Sequence, residues 1–296
     1  YVGSAPVMAR VEVVSDTTHY LPRDLVERLG LHLVSLYVTW RGHTDRESDL
    51  EDFADYYAHL GSSRELPTTS QPSVGDFLAV YEPIVEAGDD IVSIHLSGGI
   101  SGTVGTAAQA RQALIERGVE PERVVIVDSE TACGGLGLVA MAASAAARGG
   151  AGAGEVAGAA QAMRADLQTW FAVDTLEFLR RGGRIGAAQA YLGSAPKIKP
   201  ILTLGWEIEP IERVRTAGRA VARLKEHLAE RHEQGCDRFA IQHIRDPERA
   251  EELVQAGRGI YGVEPLFVSE VGPVIGTHVG PGLLGVSGVR ATLLEP

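Results

Sequence analysis

The sequence predicts an α/β fold in two domains, an N-terminal mostly parallel sheet covered by helices over residues 10–165 and a C-terminal α+β domain over residues 166–296. Three observations carry this. Short β-branched runs alternate with helical patterns through the first half, and that alternation threads a parallel sheet whose crossovers cover both faces. A Gly- and Ala-rich stretch from Gly134 to Ala165, interrupted by GGAGAG at 149–154, then reads as two closely packed helices approaching a boundary. Beyond it strands and helices resume in a less regular order, with no internal repeat and no heptad pattern.

In the first half, VEVVS at 11–15, LHLVSLYVTW at 31–40, DIVSIHLS at 90–97 and RVVIVDS at 123–129 read as strands. Helical patterns fill 21–29, 50–60, 73–87 and 103–117. In the second half a strand-like WEIEPIERV precedes a long helix at 218–234, the strand RFAIQHI, a helix at 247–256 and a strand at 263–270. VGPVIGTHVGPG at 271–282 reads as a Gly- and Pro-rich loop before a closing strand, LLGVSG. The leading YVGSAPV, ahead of Met8, is set aside as a loose tail.

Composition narrows the function. Hydrophobic residues at 45% and charged residues at 22% exclude a disordered chain. A net charge of -12 argues against nucleic acid or an anionic membrane as the main partner, since both need concentrated Lys and Arg. Cys133 and Cys236 lie in unrelated segments without metal-ligand spacing, so neither a disulfide framework nor a metal site is expected. No apolar run is long enough for a membrane span and no basic-then-apolar leader opens the chain, so a cytoplasmic protein is expected.

The most informative segment is His95-Leu96-Ser97-Gly98-Gly99-Ile100-Ser101-Gly102-Thr103, directly after a strand and before a helix. Unpaired N–H groups at a helix start carry partial positive charge, glycines admit an anion to the backbone, and hydroxyls add donors. A phosphate or a carboxylate fits such a loop. The same residues also serve as a simple helix cap and tight turn. The loop is neither a Walker loop nor GxGxxG, and GISGT misses the GxSxG nucleophile elbow at its last position.

Three further segments are candidates. Pro67 and Pro72 stiffen PTTSQPS at 67–73 and can orient Thr69, Ser70 and Gln71, while Ser73 and Asp76 form a capping pair for the next helix. His278 is the one histidine set in a Gly- and Pro-rich segment between apolar runs. LRRGGRIG at 179–186 gathers Arg180, Arg181 and Arg184 in an otherwise acidic chain, either as a local basic docking site or as a solvated helix end.

SDTTHYLP, PTTSQPS, IHLSGGISGT, FLRRGGRIG, KIKPIL and GTHVGPGLLGV occur in the order and approximate spacing of the bacterial DegV family, which the chain resembles over roughly residues 11–289. The resemblance implies a long-chain fatty acid enclosed between two α/β domains, and a role like that of the fatty-acid-binding subunit of bacterial fatty acid kinase, whose kinase is a separate chain. It implies a carboxylate held by Thr69, Ser101 and His278 and by the backbone N–H of Gly102, with Ser70 and Ser97 in support. It also implies that Arg184, and less directly Arg181 and Arg180, face the kinase. No cofactor, no metal and no catalytic residue follow from it. One departure stands out: the family usually has a Ser-Ser doublet where this chain has Ser97, Gly98 and Gly99.

The implied chemistry is coherent. Two hydroxyls, an imidazole and a helix-terminal N–H satisfy a carboxylate, while the acyl tail supplies most of the affinity. The alternative from a different class is a serine hydrolase using Ser101 with His278.

Overall fold

The computed structural model describes residues 9–50, 52–62, 67–193 and 198–295; the segment through Met8 and Lys197 of KIKPIL lie outside them. Along the first half run β1 (Val11–Asp16), α1 (Arg23–Leu29), β2 (His32–Val34), β3 (Tyr37–Trp40), β4 (His43–Arg46), α2 (Ala54–Ser62), β5 (Thr68–Ser70), α3 (Val74–Glu86), β6 (Asp90–His95), α4 (Thr103–Glu116), β7 (Val124–Asp128), α5 (Cys133–Arg148) and α6 (Ala153–Asp166). There follow β8 (Gln168–Ala172), α7 (Glu177–Arg181), β9 (Lys199–Leu204), β10 (Ile208–Val214), α8 (Ala217–Glu233), β11 (Arg238–His243), α9 (Pro247–Tyr261), β12 (Val268–Glu270), α10 (Pro273–Val279) and β13 (Leu284–Val289).

The first sheet has strand order β2-β1-β6-β7, every pair parallel. Its strands are buried on both faces. Val14 and Ile91 join Phe77, Tyr81, Ala107 and Leu114 of α3 and α4 on one side. Val13, Val92 and Ile94 join Leu136, Val139, Val156 and Met163 of α5 and α6 on the other. Alanines let α5 and α6 pack closely, as the Gly/Ala-rich stretch suggests. The expected capping pair forms as a full box: Ser73 Oγ accepts from the Asp76 N–H, and the Asp76 carboxylate accepts from the Ser73 N–H.

The second sheet has six strands in the order β10-β9-β8-β13-β11-β12, antiparallel except where β11 pairs with β12. One face packs on α8 and α9 through Leu224, Leu228, Leu253, Val254 and Phe239. Among the described residues no helix is long and apolar enough to cross a membrane.

Two segments differ from the sequence reading. LHLVSLYVTW is not one strand: β2 pairs parallel with β1, whereas β3 pairs antiparallel with β4 and β5 in a separate small sheet. The break falls at Ser35 and Leu36. The Ser35 hydroxyl donates to the Leu36 carbonyl and accepts from the Ser48 N–H, and the Leu36 N–H donates to Thr17 Oγ1, so side chains replace the ladder there. The small sheet and α2 bury Val38, Tyr56, Tyr57 and Leu60 against Phe171, Val173, Leu179, Ile244 and Val279 of the second half.

VGPVIGTHVGPG is not a loop but contains α10. Pro273 opens the helix, the buried Glu47 carboxylate accepts from the Val274 N–H at 2.8 Å, and Tyr20 Oη accepts from the Ile275 N–H at 3.2 Å. Burial raises the Glu47 carboxyl to about 7 against the bonds it accepts from Val274, Thr17 and Tyr20. Gly276 is there because the Tyr57 ring lies where a Cβ would stand. Gly280, at φ 75°, ends the helix.

Candidate functional site

Between the carboxyl ends of β6 and β7 and the free face of the six-stranded sheet lies a cavity of about 400 Å³. Leu36, Leu96, Phe171, Leu179, Leu204, Ile208, Val274, Ile275 and Leu283 make most of its wall apolar. Its mouth gathers Thr69, Ser70, Gln71, Ser101, Gly102, Arg184 and His278. Ser70, Gly102 and Arg184 are exposed, so this polar end lies at the rim.

Each polar group arrives on a different element. Thr69 is central in β5, held by pairing with Val38 of β3, so PTTSQPS is part strand rather than a free loop. Thr69 Oγ1 lies 2.8 Å from His278 Nε2, which projects from the last turn of α10. Nδ1 of His278 is buried with no hydrogen-bond partner. It faces Gly182, where a Cβ would overlap the ring nitrogen. Burial, with the positive charge of Arg184 in support, lowers the His278 imidazole to about 4. His278 is therefore neutral near pH 7.

Ser101 and Gly102 precede α4, with Gly102 as its N-cap and no side chain capping it. Ser101 Oγ lies 2.8 Å from Thr103 Oγ1 and accepts from the Thr103 N–H at 3.3 Å. Gln71 lies across Gly102 and donates to Thr106 Oγ1 at 2.7 Å. Arg184 donates from Nε to the Ile100 carbonyl at 3.3 Å and from Nη1 to the Gly182 carbonyl at 2.7 Å. Its guanidinium thus stands in the cavity wall, a placement that the basic run in the sequence did not signal. Arg180 and Arg181 end α7 away from the lining, with Arg180 paired to Glu177 at 2.7 Å.

Ser97 does not line the cavity. It is fully buried, and its hydroxyl donates to the Trp206 carbonyl at 2.7 Å. Trp206 tips the β9–β10 hairpin and lies directly on Gly98 and Gly99, where side chains would collide with the Trp206 ring and carbonyl. This close approach accounts for glycines in place of a Ser-Ser doublet. The Gly98 N–H donates to the Asp128 carboxylate instead of a ligand. Nothing in the sequence pointed to Trp206 as the cover of this turn.

Ser101 and His278 are not joined as nucleophile and base: the serine bonds Thr103 and the histidine bonds Thr69. That counts against the hydrolase reading. Among the described residues no cluster of His, Cys, Asp or Glu is arranged to hold a metal ion.

The family model described as "Uncharacterised protein, DegV family" matches residues 10–291. The chain belongs to the DegV family. This DegV protein is 43% identical over 280 residues to a DegV domain-containing protein of Streptomyces coelicolor, covering 93% of this chain and 97% of that protein. It is 37% identical over 279 residues to Protein DegV of Bacillus subtilis, covering 93% and 98%. Among solved structures it superposes with a TM-score of 0.85 on Bacillus subtilis DegV, described as a fatty acid binding protein, at 34% identity and 95% and 100% coverage. The fatty-acid-binding DegV family protein of Thermus thermophilus gives 0.84 at 35% identity, with 95% and 99% coverage.

Proposed function

We propose that this DegV protein encloses one long-chain fatty acid, holds its carboxylate at Thr69, Ser101, Gly102 and His278, and presents it to a separate kinase subunit that forms the acyl phosphate. The supporting observation is the cavity itself, apolar along most of its wall and lined at an exposed rim by donors from four separate segments. The fatty-acid-binding relatives support the same ligand.

A carboxylate only accepts hydrogen bonds, and this fixes the proton arrangement. Thr69 can donate to the ligand only if His278 Nε2–H donates to Thr69, so His278 acts as the neutral Nε2–H tautomer and holds the carboxylate through Thr69. Ser101 Oγ donates directly, and the Gly102 N–H adds the helix-terminal donor. Gross tail binding is about 0.8 kcal/mol per methylene, or on the order of 11 kcal/mol for a chain of about 14, before ordering costs. The head group therefore orients the acid more than it anchors it.

With the carboxylate at the rim, an acyl oxygen is within reach of an incoming phosphoryl group while the tail stays dry. Arg184 supplies positive charge beside that oxygen, with Ser70 in support, and Arg180 and Arg181 face the partner. The kinase would bring ATP and its metal ions, so this chain alone has no turnover. Denaturing the purified protein and analysing the extract by mass spectrometry should release a long-chain fatty acid, and added fatty acid should raise the Tm of stripped protein. Repeated absence of lipid, with no such stabilisation, would overturn the proposal. Labelling of Ser101 by a fluorophosphonate would instead favour the hydrolase.

A further inference from the structure

The wall of the cavity away from its mouth is not wholly hydrocarbon. β8 and β13 are antiparallel, with Ala172 opposite Leu284 and Thr169 opposite Ser287. Ala172 and Leu284 stand at the strand ends nearest in sequence to α7 and α10, the elements beside the mouth. At about 3.3 Å per residue, three residues place Thr169 and Ser287 roughly 10 Å farther along the sheet. Both side chains line the cavity, and their hydroxyl oxygens lie 2.8 Å apart.

Two hydroxyls carry two protons, and the bond between them uses one. Thr203 and Gln242, the polar neighbours on the sheet, are otherwise engaged. Thr203 Oγ1 donates to the Thr169 carbonyl, not to its hydroxyl. Gln242, one row along, accepts from the Gly134 N–H and donates to Ser269 Oγ. Leu204 and Ala240, which flank the hydroxyl pair along the sheet and also line the cavity, offer nothing polar. A tail of methylenes alone would leave the second proton facing hydrocarbon, a desolvation penalty that Val and Ala at these positions would avoid.

We infer that Thr169 and Ser287 form a second polar subsite that selects a long-chain acid bearing an oxygen function, hydroxyl or keto, part-way along its chain. The inference rests on the fatty-acid reading of the cavity. A ligand oxygen at this depth accepts the spare proton, and a ligand hydroxyl can also donate to either Oγ.

The test compares stripped wild-type protein with the Thr169→Val, Ser287→Ala double variant, titrated with stearic acid and with hydroxystearic acids bearing the hydroxyl at successive positions. In the wild type, one or two adjacent positions should bind at least as tightly as stearic acid and about tenfold tighter than the other isomers. The double variant should lose that preference while holding stearic acid as well or better. The wild-type profile decides the matter even if the variant fails to fold. Isomers that all bind more weakly than stearic acid, with no favoured position, would overturn the subsite. Failure to bind any acid, stearic acid included, would overturn the fatty-acid reading beneath it.

Discussion

Two histidine assemblies in this molecule use similar parts to opposite ends. His95 lies between Asp16 and Ser93, with Nδ1 3.1 Å from Asp16 Oδ2 and Nε2 2.7 Å from Ser93 Oγ. Read as types, that is the serine, histidine and aspartate series of a nucleophilic triad. Yet all three side chains are fully buried, Tyr81 donates to Ser93 at 2.7 Å, and the Phe77 ring packs edge-on against the imidazole at 5.0 Å. Asp16 also accepts from the Leu96 and Thr18 N–H groups. Burial pushes its carboxyl up, but His95 and these bonds hold it below the ordinary value. At His278 only one ring nitrogen has a partner, and the ring borders the cavity. A set whose hydrogen bonds are all used holds strands together. Beside the cavity, a Thr69 hydroxyl that accepts from His278 keeps its own proton to donate.

Breaking the sealed assembly should have the largest effect. Asp16→Ala removes a buried charge from partners built around it and should cost about 3–5 kcal/mol, read as a lower urea midpoint. Acyl-chain preference among molecules that still fold should not change. An unaltered midpoint would show that the assembly is not what joins β1 to β6.

The open assembly should respond in the other sense. Thr69→Val should weaken fatty acid binding by about tenfold in calorimetric titration, while the Tm of the stripped protein moves by no more than about 1 kcal/mol warrants. A comparable loss of stability with unchanged affinity would make Thr69 structural.

A pH series separates the two further. The His278 imidazole sits at about 4 in the folded chain against 6.5 when unperturbed. The unfolded chain therefore binds the extra proton first as pH falls. Stability from this residue is complete above 6.5 and declines between 6.5 and about 4, at up to about 1.4 kcal/mol per pH unit. Because burial lowers His19 to about 4 as well, His278→Gln should reduce the acid slope by one proton's share and not abolish it. A slope identical to wild type would contradict the neutral His278.

The smallest effect is expected from Gly102→Ala. Its Cβ meets only the flexible end of Gln71, which can swing away and forfeit its bond to Thr106 for about 1 kcal/mol. Gly99→Ala should be markedly worse, because the obstacle there is the Trp206 backbone. Denaturant midpoints of the two variants give the comparison directly.

What the sequence disclosed was local. The parallel sheet, its helices and the Ser73–Asp76 cap rest on short-range patterns, and those patterns are in the residues themselves. The departures came where distant partners decide. β5 has three residues, too few for a periodic signal, and exists because β3 pairs with it. Gly276 and Gly280 look like loop residues, but they make room for Tyr57 and Phe178. Arg184 reads as a surface cation, and only the turn at Gly182 and Gly183 brings it to the Ile100 carbonyl. Most polar residues at the cavity mouth stand in motifs legible in the sequence, whereas the Trp206 cover and the Thr169–Ser287 pair depend on strands meeting across the molecule.

The small sheet and α2 have a consequence for synthesis. They belong to the first quarter of the chain, yet Tyr56 bonds Thr277, Tyr57 bonds the carbonyls of Val271 and Gly272, and Glu47 caps α10. As the chain leaves the ribosome, the parallel sheet can close early. Thr69 must wait for His278, which follows 209 residues later. The Thr69–His278 pair thus forms only once α10 has been made, and a product truncated ahead of α10 would lack it.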